Sequence, residues 1–320
     1  MADYDIFNGD ADGICALTQL RLAQPRQSTL VTGVKRDISL LKTITPRAGD
    51  RITVLDVAME KNQPALSEAL EVGTEVFYVD HHKPGPIPEH PNLKATINES
   101  ADVCTSLLIN HHLNGQYLEW AIVGTFGDNL DKSAAGMAKN STLSESQLAQ
   151  LRDLGIYINY NGYGAKLDEL HFHPRELYQL VSQHQTPFDF IADNRAAFDK
   201  LEHGYKSDMQ AAADLQSEVA SASSAVFMLP DAPWARRVSG VYSNDLANNN
   251  PNRAHAIITA KDDGNYLVSV RAPLNNKQGA ADLCSQFPTG GGRAAAAGIN
   301  DLPADQLDSF INAFAATYRR

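Results

Sequence analysis

Val76-Phe77-Tyr78-Val79-Asp80-His81-His82 joins an apolar run directly to one acid and two imidazoles. The run is short and rich in β-branched and aromatic residues, so it reads as a strand with the polar triplet on its carboxyl end. Tyr4 to Asn8, Thr29 to Thr32 and Ile52 to Val57 are similar β-prone runs, separated by helical patterns that include Ile14 to Leu22 and Gln63 to Leu70. This alternation predicts an α/β fold with a mostly parallel N-terminal sheet wrapped by helices. In such sheets ligands bind beyond the carboxyl ends of the strands. Asp10 and Asp12 follow the first strand, Asp56 ends the third and Asp80 the fourth, so four carboxylates are expected on one edge.

Further along, Asn194 to Met228 is Ala-rich and poor in Gly, which predicts a long connecting helix. Beyond Pro230, strands are expected near Arg237 to Tyr242, Ala256 to Ala260 and Tyr266 to Arg271, the last two joined by the turn Asp262-Asp263-Gly264-Asn265. The expected organisation is therefore an N-terminal domain over 1–190, a helical linker over 191–229 and a smaller α/β domain over 230–320.

The 320 residues are 43% hydrophobic, enough to bury a core in each of two domains. A formal charge of −11 argues against a surface that coats long nucleic acid, because such binding neutralises many phosphates with Lys and Arg. A small substrate in a local pocket remains compatible with that charge. No apolar run is long enough to cross a bilayer, and the start Met1-Ala2-Asp3-Tyr4-Asp5 is acidic where a secretory signal is basic. A cytoplasmic protein without a membrane partner is expected. Cys15, Cys104 and Cys284 are scattered among apolar neighbours and read as buried thiols rather than zinc ligands.

Asn8-Gly9-Asp10-Ala11-Asp12-Gly13 puts two carboxylates two residues apart on a turn, where they can face cations. Alone, Asp-X-Asp-Gly also serves plain Asx turns and calcium loops, although the following Ile14, Ala16 and Thr18 exclude an EF-hand. Asp80-His81-His82 adds mixed oxygen and imidazole ligands on a rigid edge, a set suited to Mn²⁺ or a related ion. His111-His112 lies in a helical stretch with no acid beside it and reads as structural, and His171-Phe172-His173-Pro174 reads as a helix lead-in.

These motifs together resemble the DHH phosphoesterases. The resemblance rests on Asp10-Ala11-Asp12-Gly13, Asp56 after Val54-Leu55, Asp80-His81-His82 and Gly124-Thr125-Phe126-Gly127-Asp128, in that order. Ser269-Val270-Arg271 and Gly290-Gly291-Gly292-Arg293-Ala294-Ala295-Ala296-Ala297-Gly298 similarly resemble the Gly-rich signature of the DHH-associated domain. That superfamily includes RecJ-like exonucleases, nano-RNases and cyclic-dinucleotide phosphodiesterases. The resemblance implies a two-metal site for Mn²⁺, with Mg²⁺ or Co²⁺ as alternatives. One ion would use Asp12, His81 and Asp128, the second Asp10, with Asp56 bridging. Asp80 would orient the His81 and His82 rings, and His82 would face the scissile phosphate. Two positions depart from the pattern. Ile6 stands where many relatives have a His, with Asn8 the nearest polar residue, and Arg293 stands where the Gly-rich signature usually has a His.

Gly290-Gly291-Gly292 before an alanine run is expected to bare backbone N–H groups to an anion at a helix start, with Arg293 adding charge and Arg271 a second phosphate contact. Asn159, Tyr160, Asn161 and Tyr163 interleave amides and rings in an expected loop, and can form a nucleobase subsite or a plain turn. The function expected is metal-dependent hydrolysis of a short oligonucleotide or a linear dinucleotide such as pGpG to nucleoside monophosphates, in a chain that can also form a homodimer. The alternatives are a longer-strand RecJ-like exonuclease, a 3′-phosphoadenosine-5′-phosphate or polyphosphate phosphatase, and a non-catalytic nucleotide sensor.

Overall fold

The computed structural model describes residues 1–139 and 141–319. They fall into two compact units, Met1–Glu202 and His203–Arg320.

In the first unit the chain runs through β1 (Asp3–Phe7), α1 (Ala11–Ala23), β2 (Thr29–Val31), β3 (Arg51–Leu55), α2 (Gln63–Glu71), β4 (Glu75–Asp80) and β5 (Leu93–Ile97). It continues with α3 (Thr105–His112), α4 (Leu118–Gly127), α5 (Asp131–Ala138), α6 (Glu145–Asn161), α7 (Pro174–Val181) and α8 (Pro187–Asp193). The five strands form one sheet in the order β2-β1-β3-β4-β5, and every pairing is parallel. This is the α/β architecture expected. β5 is an addition: Leu93-Lys94-Ala95-Thr96-Ile97 is half polar because it sits at the sheet edge.

The central strands read as apolar runs because both sheet faces are covered. Ile6, Ile52, Val54, Val76 and Tyr78 pack with Leu66, Ala69 and Leu70 of α2 and with Leu40 and Leu41. Each buried Val, Leu or Ile contributes roughly 1.5–3 kcal/mol. Phe7 and Leu55, next along their strands, point to the opposite face. Helix α1 is buried all round from Ala11 to Arg21, packed among α3, α4 and α6, so its sequence shows no polar stripe.

The strand order carries the functional consequence. After β1 the chain passes to β2 on one side, then to β3 on the other. Loops leaving β1 and β3 therefore diverge at the carboxyl edge and open a crevice, the usual ligand position in doubly wound sheets. Asp10 and Asp56 stand on those two loops.

The connecting helix is shorter than Asn194 to Met228. Helix α9 spans Arg195–Ala213, and β6 (Val219–Ala220) and β7 (Ser224–Leu229) follow. The serines of the remaining stretch form a turn between β6 and β7 instead of helix: Ser221 Oγ accepts from the backbone N–H groups of Ser223 and Ser224 at 3.2 and 3.0 Å, a local arrangement that competes with helix.

In the second unit, Arg237 to Tyr242 is helical rather than a strand, lying inside α10 (Pro233–Asn249). Its buried residues Ala235, Val238, Tyr242 and Leu246 recur at helical spacing, and Pro233 suits a first turn. β8 (Ala254–Ala260) and β9 (Tyr266–Arg271) fall where expected, followed by α11 (Ala280–Cys284), β10 (Gly290–Gly292), β11 (Ala296–Leu302) and α12 (Leu307–Thr317). The sheet order is β10-β11-β9-β8-β7-β6, with β7 and β8 parallel and the other pairs antiparallel. Phe310, Phe314 and Tyr318 pack over Val268, Val270 and Ile299 to form its core. The three cysteines are free and buried, and among the described residues no helix is long and apolar enough to cross a membrane.

Candidate metal centre

The loop after β1 runs straight into α1. Asp10 is the N-cap of that helix, its Oδ1 accepting from Gly13 N–H at 3.1 Å. Asp12 lies in the first turn, and its carboxylate accepts from the N–H groups of Thr105 at 2.7 Å and Ser106 at 2.6 Å. These are the first amides of α3, so a helix N-terminus fixes this anion. A close backbone approach sets the geometry beside it: a Cβ on Gly9 would lie 2.0 Å from the Gly33 carbonyl oxygen. The segment carrying Lys35 can therefore lie over the Asp10 turn only with Gly at position 9.

Asp56 leaves β3 in the left-handed region, with φ +58°, a conformation that costs a non-Gly residue on the order of 1–3 kcal/mol. Hydrogen bonds hold it there, its N–H to the Val79 carbonyl at 3.1 Å and Thr105 Oγ1 to its carboxylate at 3.3 Å. On β4, His81 and His82 follow Asp80. His81 Nδ1 lies 2.9 Å from the Val103 carbonyl oxygen, which fixes the proton on Nδ1 and leaves Nε2 as a ligand atom. That Nε2 lies 3.4 Å from Asp56, 3.8 Å from Asp128 and 3.9 Å from Asp12. Asp128 comes from the C-cap of α4.

Two overlapping groups result, Asp12-His81-Asp128 and Asp56-His81-His82, each with ligand atoms within 4.8 Å of one another. Asp12, Asp56 and His81 are almost wholly buried, whereas the side chains of Asp128 and His82 are 22% and 35% exposed and form the open side. The structure differs from expectation at Asp80. Its Oδ1 lies 2.7 Å from His82 Nδ1 and so orients His82 alone, since the His81 ring is set by Val103.

The electrostatics fit a cation. Burial pushes the Asp56 carboxyl well above the usual range, and the charges of Asp12, Asp10, Asp80 and Asp128 act in the same direction. Burial also raises Asp128, with His81 and Lys35 pulling it back. A buried set of carboxylates and one imidazole nitrogen, short of positive charge, matches hard-to-borderline divalent ions. Asp10 differs. Burial opposes its charge, yet the Lys35 ammonium holds its carboxyl below the usual range. Lys35 shows the reciprocal effect: burial works against its charge, while Asp10, then Tyr163 and Asp128, lift it well above the usual value. Lys35 also donates to Asn159 Oδ1 at 2.9 Å. Nothing in the sequence pointed to it, because its partners lie 25 and 124 residues away.

Known structures share this architecture. Exonuclease RecJ bound to manganese aligns at a TM-score of 0.64 with 16% identity, over 100% of this chain and 90% of that one. RecJ from Thermus thermophilus in complex with Mn²⁺ aligns at 0.61 with 16% identity, over 100% of this chain and 52% of that one. The pGpG-specific phosphodiesterase PggH from Vibrio cholerae aligns at 0.54 with 14% identity, over 99% of both chains. The chain shares the fold of these RecJ and PggH structures. No protein-family model and no curated protein matches its sequence.

Away from the metal centre the structure redraws the expected substrate residues. Asn159, Tyr160 and Asn161 are not in a loop; they form the last turn of α6 and are buried. Tyr160 has no exposed face to stack on a base, and its hydroxyl lies 2.8 Å from His171 Nε2. Asn161 clamps Phe172 through both backbone groups, at 2.9 and 3.0 Å, and Asn159 serves Lys35. Tyr163, half-buried, carries Lys35 Nζ at 5.3 Å from its ring centroid. The Gly-rich segment also differs. Gly290–Gly292 is β10, paired antiparallel to β11, so Arg293 stands exposed in a hairpin turn and no helix follows it. The alanine run became strand because Ala296 and Ala297 pair with Arg271 and Val270 of β9, and tertiary pairing outweighs helix propensity. Arg271 is half-buried, its Nε donating to Asn244 Oδ1 at 2.8 Å.

Proposed function

We propose that this chain is a metal-dependent phosphodiesterase that hydrolyses short linear oligonucleotides or dinucleotides, such as pGpG, to nucleoside monophosphates. The observation that carries the proposal is the convergence of Asp12, Asp56, His81 and Asp128 at the carboxyl edge of the sheet, with His82 beside them on the open side. Asp12, Asp56, His81 and Asp128 would hold a divalent cation, which would supply an acidified water and stabilise charge on phosphate oxygens. The side chains do the rest. Asp12 is held rigid by two backbone amides, and His81 by Val103. His82, its Nδ1 tied to Asp80, keeps Nε2 for a proton at the reacting phosphate. Arg293, exposed in its hairpin turn, is assigned to a terminal phosphate of the substrate.

The net charge of −11 supports a short substrate, since a long strand needs an extended basic track. The likeness to PggH over 99% of both chains supports the same reading. A second reading, a RecJ-like exonuclease, is favoured by the RecJ alignment at a TM-score of 0.64. One panel decides between them: pGpG, other dinucleotides and strands of roughly twenty nucleotides, the length at which an extended track matters, each with Mn²⁺ and with chelator. Faster cleavage of dinucleotides is expected. Comparable rates on the long strand would move the assignment to the exonuclease, and undiminished turnover after exhaustive chelation would end the metal mechanism.

A further inference from the structure

Of the four carboxylates expected to bind metal, Asp10 alone belongs to neither ligand group, although it lies within hydrogen-bonding reach of Asp56. Each of its oxygens already accepts a hydrogen bond, Oδ1 from Gly13 N–H and Oδ2 from the Lys35 ammonium. Lys35 is built into this position at four points. Its Nζ donates to Asn159 Oδ1 at 2.9 Å, its backbone N–H donates to the Gly162 carbonyl at 2.7 Å, its carbonyl accepts from Asn8 Nδ2 at 3.2 Å, and its Nζ faces the Tyr163 ring. The Lys35 and Asp10 side chains are 21% and 3% exposed, so water screens the pair poorly. On the strand below, Ile6 is wholly buried among Val54, Val76 and Tyr78 and offers no ligand atom to this side.

We propose that the Lys35 ammonium occupies the place of a second divalent cation at Asp10, so that the chain binds a single divalent ion on Asp12, Asp56, His81 and Asp128. A fixed ammonium supplies positive charge beside Asp10 without a further ion and repels any cation that approaches the same carboxylate. Asn159 gives it a second oxygen partner, and the Gly162 and Asn8 contacts fix the backbone from which it reaches. The inference rests on the metal centre assigned above but not on the substrate.

Its test is a count of bound Mn²⁺ per chain on the full-length protein, by equilibrium dialysis with metal analysis and by Mn²⁺ paramagnetic resonance. Wild type is expected to bind one equivalent tightly and to give the spectrum of an isolated Mn²⁺. Lys35→Met, which removes the charge but keeps the length, should admit a second equivalent, and Lys35→Arg should hold the count at one. Two equivalents of comparable affinity in wild type, with the spectral broadening of a coupled Mn²⁺ pair, would overturn the proposal. A Lys35→Met protein that keeps the wild-type melting profile yet stays at one equivalent would also overturn it. Absence of any Mn²⁺ binding by wild type would instead strike the metal centre itself, an outcome distinct from a count of two.

Discussion

His81 Nδ1 lies 2.9 Å from the Val103 carbonyl oxygen, and its Nε2 lies within 3.9 Å of carboxylate oxygens from Asp12, Asp56 and Asp128. The loop before α3 thus selects the tautomer that offers a nitrogen to the acids. Removing the ring should cost more than loss of an outer hydrogen bond, which typically lowers metal affinity about 10–100-fold. His81→Ala and Asp12→Asn are therefore expected to weaken Mn²⁺ binding by at least that range, read by titration calorimetry. Unchanged affinity in either variant would remove that residue from the ligand set.

His82 is expected to behave differently. Its Nδ1 is held 2.7 Å from Asp80, and its side chain is one of the two more exposed members of the centre. His82→Ala should lower kcat by about 10²–10⁴, the usual contribution of a positioned acid or base, while bound Mn²⁺ stays close to wild type. Asp80→Asn should lower kcat less, since the imidazole remains but loses its orienting carboxylate. Metal analysis beside kinetics separates the roles. Loss of metal in proportion to activity would make His82 a ligand, a role its grouping with Asp56 and His81 also allows.

The sequence revealed this centre unevenly, for physical reasons. Val76 to Val79 and Ile52 to Leu55 were legible because central parallel strands are apolar on both faces, and the acids that end them followed from topology. Tyr160 and Asn161 were misplaced because Asn and Gly look like turn residues, whereas burial against Phe172 and His171 keeps them in α6. Lys35 carried no local signal at all, since an ion pair across 25 residues is set by how β1 and the segment after β2 pack. The alanine run failed in the opposite sense: its local propensity is helical, and pairing with β9 overrules it.

The second unit should show its own acid sensitivity. His255 on β8 is fully buried, and burial, followed by the Arg253 charge, pushes its imidazole down from 6.5 to about 4. The folded state therefore holds this ring neutral where the unfolded chain would protonate it. Its stabilising effect is complete above pH about 6.5 and is lost as pH falls towards 4, a change on the order of 3 kcal/mol. Urea unfolding of the second unit, followed from pH 7 to 4, should show that decline, and His255→Gln should flatten it. A slope unchanged by the substitution would place the acid sensitivity elsewhere.

Arg293 provides a test of the proposed preference for short substrates. It stands in the hairpin turn between β10 and β11, where its N–H donates to the Ala296 carbonyl at 2.8 Å and its side chain is exposed. Arg271 is half-buried and engaged by Asn244 and the Val270 carbonyl, whereas the Arg293 side chain is exposed. A charge-assisted contact to phosphate contributes about 1.5–3 kcal/mol, or roughly 10–150-fold in affinity. Arg293→Ala should therefore raise KM for a dinucleotide within that range, leaving kcat nearly unchanged and Mn²⁺ binding at the wild-type level. Arg293→Lys should recover part of the loss, since a point charge replaces the bidentate fork. Length then distinguishes a terminal contact from a general one. A dinucleotide offers one terminal phosphate and few other handles, so the KM penalty should be largest for it and small for a strand of roughly twenty nucleotides, which spreads its contacts. Equal penalties on both substrates would mean that Arg293 contacts the backbone wherever it passes, and the proposed short-substrate preference would need another origin.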